Sequence, residues 1–386
     1  MAYISSNNNR WYCQLEASYG QVPGVVAANR FPAVSMTAQQ KIETPARQDK
    51  TGTRTFSGAL ASMRKQTQFD LTTYMTSWTT GSMPGYGPLF QATLGASPLY
   101  FAGGTATASS TTSYVTFASP HGLVVGQAIT YQGEMRFVSS VENTTAVMVN
   151  APFSAIPNGP VGQTVTFLPT TELPSVSIFD YWDPSTSVQR LLCGCAVNQM
   201  MVSVNANYQQ FQFKGMAQDV LDSSSFTAGS GELTAYPAEP ALGAPPTTIV
   251  PGHLGQAWLG ASASQFLTLT SANVSLSNAL DMRTEEFGSI LPRAINPGAR
   301  TVLLDMEIYA QDDSATVALY QASRQRAPII AGFQMGQTAG QLFGVYMKSV
   351  VPEVPQYSDK DSRLIWQFKG SQAQGQGDDE LAVAFG

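Results

Sequence analysis

Phe69-Asp70-Leu71-Thr72-Thr73-Tyr74 and Leu304-Asp305-Met306-Glu307-Ile308-Tyr309 are the two stretches on which the reading of this chain turns. Each alternates apolar and polar residues with a period of two, the mark of a strand with one face packed and the other turned outward. Phe69, Leu71, Thr73 and Met75 fall on one side, with Asp70, Thr72 and Tyr74 opposite; Leu304, Met306 and Ile308 oppose Asp305, Glu307 and Tyr309. The two stretches also resemble each other position by position, which points to one fold present twice.

Three further matches follow in the same order. Val34-Ser35-Met36-Thr37 pairs with Val274-Ser275-Leu276-Ser277, Leu89-Phe90-Gln91-Ala92 with Leu319-Tyr320-Gln321-Ala322, and Gln212-Phe213-Lys214-Gly215 with the identical Gln367-Phe368-Lys369-Gly370. Between the second and third of these the first half carries a domain-sized excess. Residues 103–170 account for it: they open with Gly103-Gly104 and a Ser/Thr tract, then run through short strands at 114–117, 127–131, 134–138, 146–149 and 164–168, separated by turn residues. Residues 222–265, rich in Pro, Gly, Ser and Ala, read as a connecting arm. The expected organisation is a first domain over 1–102 and 171–225, an insert over 103–170, an arm over 226–265 and a second domain over 266–386. The expected fold class is mainly β, a sandwich or barrel with a flanking helix, duplicated in tandem and carrying a small inserted β domain. Other strand runs are 197–213, 342–351, 363–369 and 381–385. Helices are expected at 87–94 and 314–325, the second opened by the capping residues Asp312, Asp313 and Ser314 and closed by Arg324 and Arg326.

Composition narrows the function. The 386 residues suffice for two or three domains, and only 12% are charged, against about 25% in an ordinary soluble domain. With 43% hydrophobic residues the chain folds, so its surface is built from uncharged polar and small residues, and charge depletion is a property of extensive interfaces. The net charge of −6 and the lack of a basic block exclude adhesion to nucleic acid through its phosphates. No run is long and apolar enough for a membrane span, and Met1 to Arg10 is too polar for a signal peptide, so synthesis and retention in a cytosol are expected. Cys13, Cys193 and Cys195 are expected as free thiols, the last two on one strand face. His121 and His253 read as solvated turn residues, and Asp378-Asp379-Glu380 as a solvated turn before the final strand. Neither the phosphate-binding loop nor the nucleophile-elbow pattern occurs. The chain is therefore expected to be no enzyme and to need no cofactor or metal.

Charge is concentrated between two strand candidates, in Lys41, Glu43, Arg47, Asp49, Lys50, Arg54, Arg64 and Lys65. Interleaved signs on a long loop confer registry more than adhesion, so this segment is either a docking arm or an ordinary solvated loop.

Leu15-Glu16-Ala17-Ser18-Tyr19-Gly20, Arg47-Gln48-Asp49-Lys50-Thr51-Gly52-Thr53-Arg54, Phe69-Asp70-Leu71-Thr72-Thr73-Tyr74-Met75, Trp366-Gln367-Phe368-Lys369-Gly370 and Gly377-Asp378-Asp379-Glu380-Leu381 resemble the major tail tube proteins of long-tailed bacteriophages. The resemblance spans the chain apart from the insert, and the duplication and the insert depart from simpler members. It implies a β-sandwich with a flanking helix, sheets that join around a ring as an inner barrel, and rings that stack through a long hairpin loop around a channel for DNA. It implies as partners further copies of the chain, with the tape measure, tail terminator and distal tail proteins, and a place in the virion tail after assembly in the host cytoplasm. A chain with two copies of the fold would close a ring as a homotrimer. Lys41, Glu43, Arg47, Asp49, Lys50 and Arg54, with residues 278–299 as a shorter counterpart, are the candidates for contact between rings. Asp70, Asp305 and Glu307 are the candidates for an acidic lumen that repels phosphate. The alternatives are a neck, terminator or decoration protein, with a glycan-binding role for the insert, and a β-rich glycoside hydrolase using two carboxylates.

Overall fold

The computed structural model describes residues 3–43, 50, 52–54, 64–204, 207–243, 248–260, 265–359 and 362–386. The chain is mainly β, with antiparallel sheets that include a half-barrel and with two helices, Gly87–Leu94 (α1) and Ser314–Gln325 (α2). Both helices lie where the sequence puts them. α2 starts at Asp313 because its carboxylate accepts the Ala315 and Thr316 N–H groups, each at 2.9 Å, satisfying donors that a helix start leaves open.

The first half supplies β1 (Asn9–Leu15), β2 (Ala33–Ile42), β3 (Lys65–Tyr74), β4 (Leu99–Phe101), β5 (Thr164–Phe167), β6 (Val176–Trp182), β7 (Arg190–Val204), β8 (Gln210–Ala217) and β9 (Asp219–Asp222). The second supplies β10 (Gly255–Leu259), β11 (Leu269–Ser277), β12 (Thr301–Tyr309), β13 (Ile329–Met335), β14 (Phe343–Val351), β15 (Gln356–Ser358), β16 (Ile365–Ala373) and β17 (Ala382–Phe385). The expected run 197–213 is thus the end of β7 and the start of β8, which pair with each other.

The pairings repeat. In front, β2–β3–β8–β7 is answered by β11–β12–β16–β15; behind, β1–β6–β7–β9 is answered by β10–β13–β14–β17. β7 is long enough to serve both sheets. Pro352 and Pro355 divide the equivalent path into β14 and β15, since proline cannot donate to a ladder. Asp70 lies opposite Lys214, and the β12–β16 register sets Asp305 beside Lys369 in the same way, so those two sequence matches hold. The match of Val34 to Val274 does not. The register irregularity at Ala33/Ser35 corresponds to the one at Leu269/Ser271, which puts Ala38 in the place of Val274. A slip by an even number of residues keeps every side chain on its face, so alternation alone cannot detect it.

The last residues of β7 pair with β11, Gln199 opposite Ser277 through Val204 opposite Ala272, and this fuses both front sheets into one of eight strands. α1 cements the joint. Phe90 is completely buried, with its ring 5.0 Å from Phe211, 5.8 Å from Phe343 and 5.2 Å from Phe385, the last two from the second copy. Burial of such a ring stabilises by about 1.5–3 kcal/mol.

The back sheets need covers on their other face, and the two copies find different ones. In the first, Tyr12, Phe179, Tyr181 and Leu191 are covered by Phe226, Leu233 and Tyr236. The stretch read as a connecting arm is therefore a lid at its start, and at its end it is β10 of the second copy. In the second, Leu342, Tyr346, Ala382 and Ala384 are covered by Ala128, Met135 and Phe137 of the insert. Phe137 stacks on Tyr346 with centroids 5.3 Å apart, Arg136 lies 3.8 Å over the Trp258 ring, and Gln334 accepts the Met135 N–H at 2.7 Å while donating to the Gly133 carbonyl at 2.8 Å. The insert has its own core around Val115, Ile129, Val138 and Val147, yet it roofs the other copy. Its end falls earlier than expected: Thr164–Phe167 is β5, paired to β4 on one side and β17 on the other.

The lid is held by Glu239, which accepts from the Arg10 guanidinium and, at 3.0 Å, from the Tyr12 hydroxyl. Burial works to raise this carboxyl, but the hydrogen bonds from Arg10 and Tyr12 outweigh it and hold it below its ordinary value of 4.5. A depressed folded value stabilises above the unfolded one and is lost as pH falls through the folded one. Protection of the Leu233 and Tyr236 amides, relative to their intrinsic exchange rates, is accordingly expected to fall as pH drops below about 4.5, and Glu239→Gln should remove that dependence.

Candidate functional site

The outward face of the eight-stranded sheet carries the acids that the sequence singles out. Strand alternation builds it. Phe69, Leu71 and Thr73 are buried behind it, as are Leu304, Met306 and Ile308, while Asp70, Thr72, Tyr74, Asp305, Glu307 and Tyr309 are half-buried on the outward side, as their spacing predicts. The surface between the charges carries the amides and hydroxyls of Gln68, Gln212, Gln199, Ser203, Asn273 and Ser275, with Met201 and Leu303 among them at the β7–β11 joint. Two shallow cavities open on this face at the β7–β11 joint, one walled by Met201, Leu303, Gln212, Lys214 and Ser275 and the other by Ser203, Asn273, Asp305, Glu307 and Lys369.

The acidic lining expected at Asp70, Asp305 and Glu307 is altered by what stands beside each acid. Asp70 pairs with Lys214 Nζ at 3.1 Å and accepts from Gln212 at 3.0 Å. Asp305 accepts the Gly370 N–H at 2.6 Å beside Lys369, and Glu307 accepts the Gln367 amide at 2.7 Å. An exposed pair adds only about 0–1 kcal/mol of stability. Its effect here is on the field, because opposite charges a few ångströms apart cancel well within a Debye length of about 10 Å. Asp70 is thereby neutralised and Asp305 stands beside Lys369, while Glu307 is met by an amide rather than a cation, so the face is weakly rather than strongly acidic. Single strands could not show this, since the lysines arrive from β8 and β16.

The candidate contact loop leaves one rim of the sheet after β2. Lys41 is exposed, Glu43 accepts from Gln66 at 3.1 Å, and Lys50 and Arg54 are exposed; Arg47 and Asp49 lie outside the described residues. The counterpart at 278–299 leaves the same rim and touches the first at its base, through the Lys65 N–H to the Ile290 carbonyl at 2.9 Å and Arg64 to the Glu285 carbonyl at 3.4 Å.

Two sequence readings are revised, and a third residue, Glu16, is passed over by them. Cys193 and Cys195 do not share a face, because the ladder between β6 and β7 shifts there and Gly194, at φ +60°, inverts the alternation. Cys193 joins the cluster behind the back sheet and Cys195 the core between sheets; burial pushes the Cys193 thiol up to about 12. The turn at Asp378-Asp379-Glu380 is paired rather than simply solvated: Arg300 meets Asp378 at 3.0 Å and Glu380 at 2.8 Å, and Lys348 meets Asp379. Glu16 is a buried knot. Its carboxylate accepts Gly20 N–H at 2.8 Å, Gly194 N–H at 2.7 Å and the Ser175 and Ser177 hydroxyls at 2.6 Å each, tying β1, β6 and β7 together. The sequence signal was a lone acid in an apolar stretch with glycine four residues on, where Gly20 holds φ +80° against the Gln218 side chain.

Among the described residues no three His, Cys, Asp or Glu side chains gather as a metal site. No protein-family model and no curated protein matches the chain.

Proposed function

We propose that the chain is a structural subunit of a phage tail tube, three copies of which close a ring whose stacking forms a conduit for DNA. The observation that carries this reading is the joint inside the chain. β7 and β11 show how one copy of the fold adds to the next, with Val202 opposite Val274 and both completely buried. The two free edges of the eight-stranded sheet are the equivalents of those strands. Gln356 stands opposite Gln367 as Met201 does opposite Gln212, so Tyr357 takes the place of Val202, and Ala38 takes that of Val274. Tyr357 is 60% exposed, and Val317 on the neighbouring α2 is 41% exposed, where the in-chain joint has the buried Phe90 helix. A sheet whose edges repeat its own internal joint extends by adding copies, and a constant rotation closes it.

The largely uncharged face, with few lysines and a small acidic excess, supports the same reading in a modified form. DNA would slide because few cations are free to bind phosphate, rather than because the wall repels it. The proposal involves no catalysis and no cofactor, with further copies of the chain as the principal partners.

Purified protein is expected to form hollow tubes in negative-stain images, with rings of three chains by native mass spectrometry. Rings of six complete chains, or a protein that stays monomeric at every concentration, would defeat the reading.

A further inference from the structure

Two of the three most exposed large apolar side chains among the described residues sit beyond opposite ends of one strand. Phe287 is 100% exposed and Leu267 82%, the third being Tyr3 near the start of the chain. Phe287 lies in a turn of the loop that follows β11. That loop is fastened to the first copy, by the Lys65 N–H to the Ile290 carbonyl at 2.9 Å and by Gln218 to the Pro292 carbonyl at 3.1 Å, so the ring is presented from an anchored base. Leu267 precedes β11, at the mouth of a cavity of about 230 Å³ whose walls combine Val204, Ala257, Phe266 and Leu269 with Gln256 and Thr270.

We propose that copies of this chain stack by inserting Phe287 of one into the Leu267 cavity of the next. The inference rests on the tube reading and specifies its axial contact. The nine residues of β11 separate the two features by roughly 30 Å, so they cannot meet within one molecule. Translation of a copy along the strand brings one onto the other. Such a contact is heterologous and does not close: each added copy buries one Phe287 and one cavity and presents a fresh pair, which is the condition for an open stack. An aromatic ring entering a pocket that is partly apolar and closed off by polar side chains is also a usual form of energetic anchor.

The test uses the full chain and compares the concentration at which tubes pellet for the parent, Phe287→Ser, Leu267→Ser and the double variant. Because both side chains face water in the isolated subunit, folding and the thermal midpoint should not change. Each single variant is expected to raise the threshold about tenfold or more while the mass of the ring stays the same. The double variant should cost little more than either single one, because the two residues meet each other. Parent-like thresholds for Phe287→Ser, or fully additive effects of the two changes, would overturn the inference while leaving the ring intact. Absence of tubes from the parent itself would instead overturn the functional reading on which it rests.

Discussion

Glu16→Ala is expected to destabilise the chain by roughly 4 kcal/mol, a large share of the 5–15 kcal/mol that holds a domain folded. The carboxylate is the acceptor for two backbone N–H groups and two hydroxyls that are themselves buried. Removing it leaves four donors without partners, each costing about 1–3 kcal/mol, offset in part because a buried charge no longer has to be kept from water. Glu16→Gln should cost about half as much, since one oxygen remains for Gly194 and Ser177 and the Ser175 hydroxyl can turn to accept from the new amide. Denaturant titration followed by tryptophan fluorescence measures both. Equal midpoints for the alanine variant and the parent would show that the knot contributes nothing. The loss should start in the first copy, where the three tied strands lie, and expose the Cys193 thiol to alkylation before Cys13.

Tyr357→Asp is expected to abolish ring formation without unfolding the subunit. In the isolated chain Tyr357 is largely exposed, its side chain held by the hydroxyl contact with Tyr320 at 3.2 Å and a ring contact with Trp366 at 6.1 Å, so aspartate there meets water at modest cost. In the joint it would occupy the place of Val202, opposite Ala38 and shut off from solvent. Burying an unpaired carboxylate costs several kcal/mol, which corresponds to about a thousandfold loss in association. Tyr357→Phe keeps the ring and should assemble as the parent does. Sedimentation velocity across a concentration series distinguishes the three. Trimers of the aspartate variant at the parent's concentrations would mean that this edge is not the joint.

The insert shows most clearly how far local sequence reached. Its short strands are visible in the alternation at 127–131, 134–138 and 146–149, and its self-contained core follows from them. Nothing in residues 103–170 says that Phe137 will stack on Tyr346 or that Gln334 will bind the backbone at Gly133 and Met135. The same limit applies to the charged positions, for Asp70 is placed on its face by its own strand while Lys214 comes from a strand far along the chain.

What the sequence by itself determined is what depends on neighbours a few residues away. The strand faces around Phe69 and Leu304 follow from a period of two, α2 from Asp313 at its start, and the duplication from two strands and a helix repeated in order. Only the tertiary structure decided which edges join, that β7 pairs with β11, that the insert grown from one copy roofs the other, and that Gly194 turns Cys193 away from Cys195. The physical reason is that alternation survives any even slip and any exchange of partner, so it specifies a face but not what meets that face. Registers, lids and compensating charges are chosen by contacts between segments distant in sequence, whose free energy no single segment contains.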